Sequence, residues 1–213
     1  SSSANSGPTP TIRIRSAWLT QRSTLIASMP VCSTTVARPS GVAPDVRSRN
    51  YTIEAHVEID AAGAEGVLIA HGDATSGYSL YVKDGLLVHD LNIGGGHEIV
   101  SSNRKVPSGV HRLGVHVERL VRDTAPAKGS RTGVSAYTLL IDGEPAGSLQ
   151  TQQGFNNFIS WSGLDIGRDR SSPVSHYEAP FEFTGRLLRV TVAMHHDQKL
   201  DGDGIGAAEM ARQ

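Results

Sequence analysis

Tyr51-Thr52-Ile53-Glu54-Ala55-His56-Val57-Glu58-Ile59 sets an apolar residue at every odd position and a polar one at every even position, apart from the short Ala55. A strand sends successive side chains to opposite faces, so this period predicts one buried and one solvated face. The same alternation returns in Gly77-Tyr78-Ser79-Leu80-Tyr81-Val82-Lys83, with Tyr78, Leu80 and Val82 inward. It returns again where Leu113, Val115 and Val117 alternate with Arg112, His116 and Glu118. Near the end, Leu188, Val190, Val192 and Met194 alternate with Arg189, Thr191 and Ala193. Gly66-Val67-Leu68-Ile69-Ala70, Leu86-Leu87-Val88 and Tyr137-Thr138-Leu139-Leu140-Ile141 are more continuously apolar, the pattern of central strands covered on both faces.

Turn chemistry agrees. Lys83-Asp84-Gly85-Leu86 and Ile141-Asp142-Gly143-Glu144 put Asp-Gly between strand-like runs, the signal for a two-residue hairpin. About ten short strands separated by such signals predict an all-β fold, an antiparallel sandwich or barrel, and exclude a helix-rich one. Residues 50–194 make a unit of 145 residues. A domain of that size buries roughly 68–70% of its unfolded surface and needs no metal or disulfide to fold.

The chain has 213 residues, 38% of them hydrophobic, so there is material for a core, and no apolar run reaches membrane-spanning length. A net charge of −1 gives no global attraction to nucleic acid or anionic lipid. That balance hides a division. Residues 1–49 carry six Arg and one acid, Asp45, for +5, whereas the other 164 residues carry 20 acids against 14 bases, for −6. Ten of the eleven aromatics follow residue 50, Trp18 being the exception, and the first 40 residues hold 15 Ser or Thr. Residues 1–41 therefore read as a poorly structured, Ser/Thr/Arg-rich extension or linker; an acid-poor transit segment is the alternative. Leu25-Ile26-Ala27 is shorter than the ~7–15-residue apolar stretch of a secretory signal. The single cysteine, Cys32, excludes an internal disulfide framework and has neither a basic cluster nor a helix start to activate it. Residues 195–213 read as a polar tail.

Several pieces taken in order resemble the C-terminal domain of large bacterial arylsulfatases. They are Asn50-Tyr51-Thr52-Ile53-Glu54-Ala55, Gly66-Val67-Leu68-Ile69-Ala70 with Gly72, and Gly77-Tyr78-Ser79-Leu80-Tyr81-Val82-Lys83-Asp84-Gly85. They continue as Asp165-Ile166-Gly167-Arg168-Asp169, Ser172-Pro173-Val174-Ser175 and Tyr177-Glu178-Ala179-Pro180-Phe181-Glu182-Phe183-Thr184-Gly185. The match extends over about residues 42–194. It implies a jelly roll of the concanavalin-like, laminin-G-like type, which agrees with the alternation read independently. It also implies that catalysis belongs to an upstream domain, where a Cys/Ser-x-Pro-x-Arg motif becomes formylglycine beside calcium. Cys32 is followed by Ser33-Thr34-Thr35-Val36, so that motif is absent, and Arg38-Pro39-Ser40 does not supply it. The expectation is a non-catalytic accessory domain of a bacterial sulfatase, cytoplasmic or periplasmic. It would pack on the catalytic domain or assemble as a homo-oligomer. A chain that begins with Ser rather than Met suits an incomplete protein.

Other chemistry is weakly signalled. No Gly-x-Ser-x-Gly elbow accompanies the nine His. Glu54 and Glu58 share a strand face but lack the intervening acid that a Glu-x-Asp-x-x-Glu glycosidase pattern needs, so they read as solvated charges. His195-His196-Asp197 points its imidazoles to opposite faces of a strand, and Asp201-Gly202-Asp203 lacks a twelfth-position Glu, Glu209 falling ninth. No cofactor is expected beyond calcium, for which Asp165 and Asp169 are the candidate ligands. Gly94-Gly95-Gly96 reads as a hairpin tip, not a phosphate loop.

Phe155 to Phe183 holds Phe155, Phe158, Trp161, Tyr177, Phe181 and Phe183, with Asp169, Arg170, His176 and Glu178 between them. Aromatic faces stack on sugar rings and polar groups read hydroxyls, so Trp161, Asp169, His176 and Tyr177 are candidates for a glycan site or a domain interface. The structural alternative makes Phe158, Phe181 and Phe183 core residues, with Arg168 and Asp169 tying down a long loop. A lectin-like carbohydrate-binding module is the second functional expectation.

Overall fold

A computed structural model describes residues 24–30, 36–38, 43–47, 49–120, 134–153, 159–170 and 172–195. Among these are twelve strands: β1 (Thr24–Pro30), β2 (Val36–Arg38), β3 (Tyr51–Ile59), β4 (Gly66–Gly72), β5 (Ser76–Lys83), β6 (Leu86–Ile93), β7 (Gly96–Lys105), β8 (Gly109–Leu120), β9 (Val134–Ile141), β10 (Glu144–Thr151), β11 (Leu164–Ile166) and β12 (Arg186–Met194). They form two six-stranded sheets, ordered β1-β12-β3-β8-β9-β10 and β2-β11-β4-β5-β6-β7. Every named strand pair is antiparallel. This is the all-β antiparallel sandwich that the alternation predicts, in the jelly-roll form that the resemblance implies. No helix among the described residues is long and apolar enough to cross a membrane.

The alternation of β3 translates directly into burial: its odd positions, Tyr51 to Ile59, are buried and its even ones half-exposed. Tyr51, Ile53, Ala55 and Val57 meet Leu68, Leu80, Leu87, Leu91, Leu113, Val115, Leu139 and Ile166 in one core between the sheets. Asp84-Gly85 and Asp142-Gly143 turn the β5–β6 and β9–β10 hairpins with φ of 53° and 74°, and 56° and 85°, the left-handed pair that a type I′ turn requires.

Four elements depart from expectation. β1 and β2 arise within the segment read as an extension; β1 pairs with β12 and β2 with β11. Edge strands are held through backbone groups, which need no periodic sequence. In β12 a register shift between Leu187 and Arg189, opposite Val57 and His56, turns Leu187 inward and leaves Leu188 half-exposed. A bulge sets two residues against one and so resets the alternation. β9, expected to be covered on both faces, instead alternates between buried and half-exposed positions, so one of its faces reaches solvent.

On the second sheet, β4 and β5 are buried at nearly every position because the chain from Gly167 to Gly185 lies across their outer face. The Val67 amide donates to the Phe181 carbonyl (2.9 Å), the Gly167 amide to Leu68 (3.1 Å) and the Thr184 amide to Glu65 (2.8 Å). The approach is close enough to exclude a side chain at Gly66, whose φ is +119° and where a Cβ would stand 2.3 Å from the Glu182 carbonyl oxygen. A second apolar cluster forms beneath this covering loop from Val67, Ala70, Tyr81, Val88, Val174 and Tyr177, with Leu86 and Phe181 at its margin. Phe181 and Phe183, two residues apart, therefore separate: Phe181 packs on this outer cluster and Phe183 on the main core.

Candidate functional site

One end of the covered sheet gathers four turns. The β4–β5 turn begins at Asp73, whose Oδ1 accepts from the Thr75 amide (2.8 Å) and hydroxyl (2.5 Å). Its Oδ2 accepts from the Ser160 hydroxyl and from Ser162 Oγ (2.6 Å), gripping both residues that flank Trp161. Backbone bonds from the Ser160 amide to Ser76 (3.2 Å) and from the Gly72 amide to Gly163 (3.0 Å) complete the clamp. Burial opposes the Asp73 charge, but the Ser160, Ser162 and Thr75 hydroxyls and the Thr75 amide outweigh it and hold the carboxyl below the usual range. Trp161 rides on this braced turn, 75% exposed.

Asn92, fully buried on β6, joins the remaining turns. Its amide nitrogen donates to Ala74 O (3.0 Å) and Val174 O (3.1 Å), and its Oδ1 accepts from the Gly95 amide at the β6–β7 tip (3.0 Å). Strand pairing sets His97 opposite Asn92 and diagonal to Asp90. His97 Nδ1 donates to Asp90 Oδ2 (2.7 Å), and the ring of His176, on the covering loop, lies 4.2 Å from that of His97 between centroids. Burial raises the Asp90 carboxyl, while the Ser175 and His97 side chains pull it back toward the ionised form.

The residues singled out from sequence thus divide. Trp161 and His176 are exposed at this end of the sheet. Tyr177 is 8% exposed and packs beneath the covering loop, stacked on Phe181 (5.2 Å) and edge-on to Tyr81 (5.1 Å). Its hydroxyl donates to Asp169 Oδ2 (2.8 Å) and so accepts from Ser79 Oγ (2.9 Å). Desolvation and the neighbouring Asp169 carboxylate push the Tyr177 phenol upward. Asp169, 2% exposed, also accepts from the Val174 amide (3.0 Å), which makes it a loop anchor. Asp165 accepts from the Arg170 amide (2.9 Å) and Nε (2.8 Å). Asp165 and Asp169, the candidate calcium ligands, are thus engaged by Arg170 and by Tyr177 with Val174. Among the described residues no three or more His, Cys, Asp or Glu side chains are placed to hold one metal ion together. Arg168 pairs with Glu182 (3.2 Å), Glu54 with His56 (2.8 Å) and Glu58 with Arg186 (2.9 Å). Cys32, Phe155, Phe158, His196, Asp201, Asp203 and Glu209 lie outside the described residues.

Sequence reading missed Asp73, Asp90, Asn92 and His97. A signal was present for two of them: Asp90 and Asn92 interrupt the apolar run Leu86–Ile93, and polar groups inside a doubly covered strand must find partners.

No family model matches the chain, and no curated protein matches it. Solved structures do. The CBM40 of the Ruminococcus gnavus IT-sialidase bound to alpha2,6 sialyllactose superposes with a TM-score of 0.54 at 12% identity, over 86% of this chain and 99% of that one. The same module bound to alpha2,3 sialyllactose gives 0.53 at 14% identity, over 86% and 98%. The NanB sialidase of Streptococcus pneumoniae gives 0.53 at 10% identity, over 85% of this chain and 27% of that one. At such identities the likeness establishes the fold: this chain is a jelly-roll sandwich similar to the CBM40 module. None of these matches links it to sulfatases, so the sequence resemblance holds at the level of the fold.

Proposed function

We propose that this chain is a lectin-like carbohydrate-binding module that takes glycans at the loop end of the covered sheet, with Trp161 as stacking platform and His176 beside the neighbouring turns as a polar contact. The observation that supports this reading is Trp161 itself: an indole 75% exposed on a turn that Asp73 braces from both sides. An exposed indole adds nothing to the core, whereas a rigid, desolvatable ring suits the C–H face of a sugar. No catalytic step is assigned to the chain. The fold neighbours bound to sialyllactose make alpha2,3 and alpha2,6 sialyllactose the first probes, with lactose as the neutral comparison. Calorimetric titration and a glycan array are expected to show binding that Trp161→Ala weakens at least about tenfold while leaving the melting temperature unchanged. Silence across the array, or full affinity in Trp161→Ala, would remove the reading.

The accessory-domain reading uses the same exposed indole as a contact with an upstream sulfatase catalytic domain or with a second copy. It predicts that Trp161→Ala alters association in sedimentation experiments and leaves glycans irrelevant.

A further inference from the structure

We propose that His97 and His176 form an open site for a divalent transition metal of borderline softness, such as Cu2+, Ni2+ or Zn2+. The argument starts at Asp90, whose side chain is 0% exposed on the outer face of β6. Its neighbour two residues back on that face, Val88, belongs to the apolar cluster beneath the covering loop. A carboxylate there needs compensation that an apolar residue would not. One oxygen is engaged by His97 Nδ1 at 2.7 Å. The Ser175 side chain, on the covering loop, is the carboxyl's other polar neighbour and favours the ionised form.

A carboxylate accepts the Nδ1 proton of an imidazole and so leaves the lone pair on Nε2 with the ring held in one orientation; this is the backing that metal-binding histidines characteristically have. The second imidazole is supplied by the covering loop. His176 is exposed, its ring centroid stands 4.2 Å from that of His97 at 37°, and its carbonyl is held by Lys83 Nζ at 3.1 Å. Asn92 fixes Val174 O and Gly95 N, and so both chain segments that carry the two rings. With two protein ligands the site is open, and water completes the coordination. Imidazole donors favour Cu2+ over Ni2+ and Zn2+ and discriminate against Mg2+ and Ca2+, which prefer oxygen.

The sandwich supplies its own control. His116 and His195 form a second pair on the other sheet, with centroids 5.1 Å apart. There the hydroxyl of Thr52 meets His116 Nδ1 (3.0 Å) and His195 Nε2 (3.1 Å).

The test is an NMR titration of the 15N-labelled full chain with substoichiometric Cu2+, with Zn2+ and Ca2+ titrations in parallel. The His97 and His176 ring nitrogens are expected to broaden first, and Ca2+ to shift neither. His176→Ala, an exposed position that spares the fold, is expected to weaken Cu2+ at least about tenfold, and Asp90→Asn by about 10–100-fold, while His116→Ala leaves the affinity unchanged. Broadening that begins at His116 and His195, equal broadening of every exposed histidine, or undiminished affinity in His176→Ala overturns the proposal. The site stands whether or not Trp161 binds glycans, because its readout is the imidazole pair alone.

Discussion

The two sheets share one core and differ on their outer faces. In β3 every second residue looks to solvent, and charges such as Glu54 and Glu58 there are met by His56 and Arg186 on the surface. In β4 and β5 the outer face is sealed by the chain from Gly167 to Gly185, and its polar side chains have partners inside: Ser79 with Tyr177, Tyr81 with Ser175, Asn92 with three turns. An open face tolerates polar residues cheaply because water satisfies them. A covered face keeps only those that are bonded or that do something. The candidate site lies where the covering loop meets the sheet's end.

The comparison can be broken from inside the second sheet. His71 on β4 and His89 on β6 point into the common core beside Tyr78, which lies 5.6 and 6.5 Å away between ring centroids. Burial lowers His89 to about 3 and His71 to about 4, Asp45 opposing the shift of His71. Above pH 7 neither is protonated in either state. As pH falls from about 6.5 toward those values only the unfolded chain takes up the proton, so stability drops through that window. The largest effect expected is therefore a fall in the denaturant midpoint between pH 7.5 and 4.5, with His89→Phe flattening it; a flat profile in the unmodified chain would contradict the burial of both rings.

Truncation of the shared core comes next. Leu80→Ala, at a fully buried position, is expected to cost about 2–5 kcal/mol by denaturant unfolding. A smaller effect separates the covering loop from the core. Tyr177→Phe keeps the ring but removes the hydroxyl that joins Asp169 to Ser79, and is expected to cost about 1–3 kcal/mol, with hydrogen exchange faster in the loop and outer face than in β3. Uniform acceleration in both sheets would mean that the loop does not open separately. Trp161→Ala closes the series, within about 0.5 kcal/mol of the unmodified chain, since its ring is 75% exposed.

Much of this was legible before any coordinates. Tyr51–Ile59 announced its own burial pattern, the two Asp-Gly turns their hairpins, and the continuous runs Gly66–Ala70 and Leu86–Val88 a sheet covered on both faces. These signals are local, because a strand's period and a turn's φ are set within a few residues. The site was less legible. Trp161, Asp169, His176 and Tyr177 stood out together in an aromatic segment, and nothing local separated the exposed pair from the buried one. Asp73 braces Trp161 from residues 87 and 89 positions away, and Tyr177 holds Ser79 across 98.

By itself the sequence determined the class of fold, the inward face of most strands and the turns between them, since those follow from side-chain alternation and backbone conformation. Tertiary structure alone decided that Tyr177 and Asp169 are anchors of the covering loop, that Trp161 stays outside, and that Asp90, His97 and His176 converge. Each of those outcomes depends on which distant segment supplies the partner, and a buried polar group is defined by that partner, not by its own neighbours in the chain.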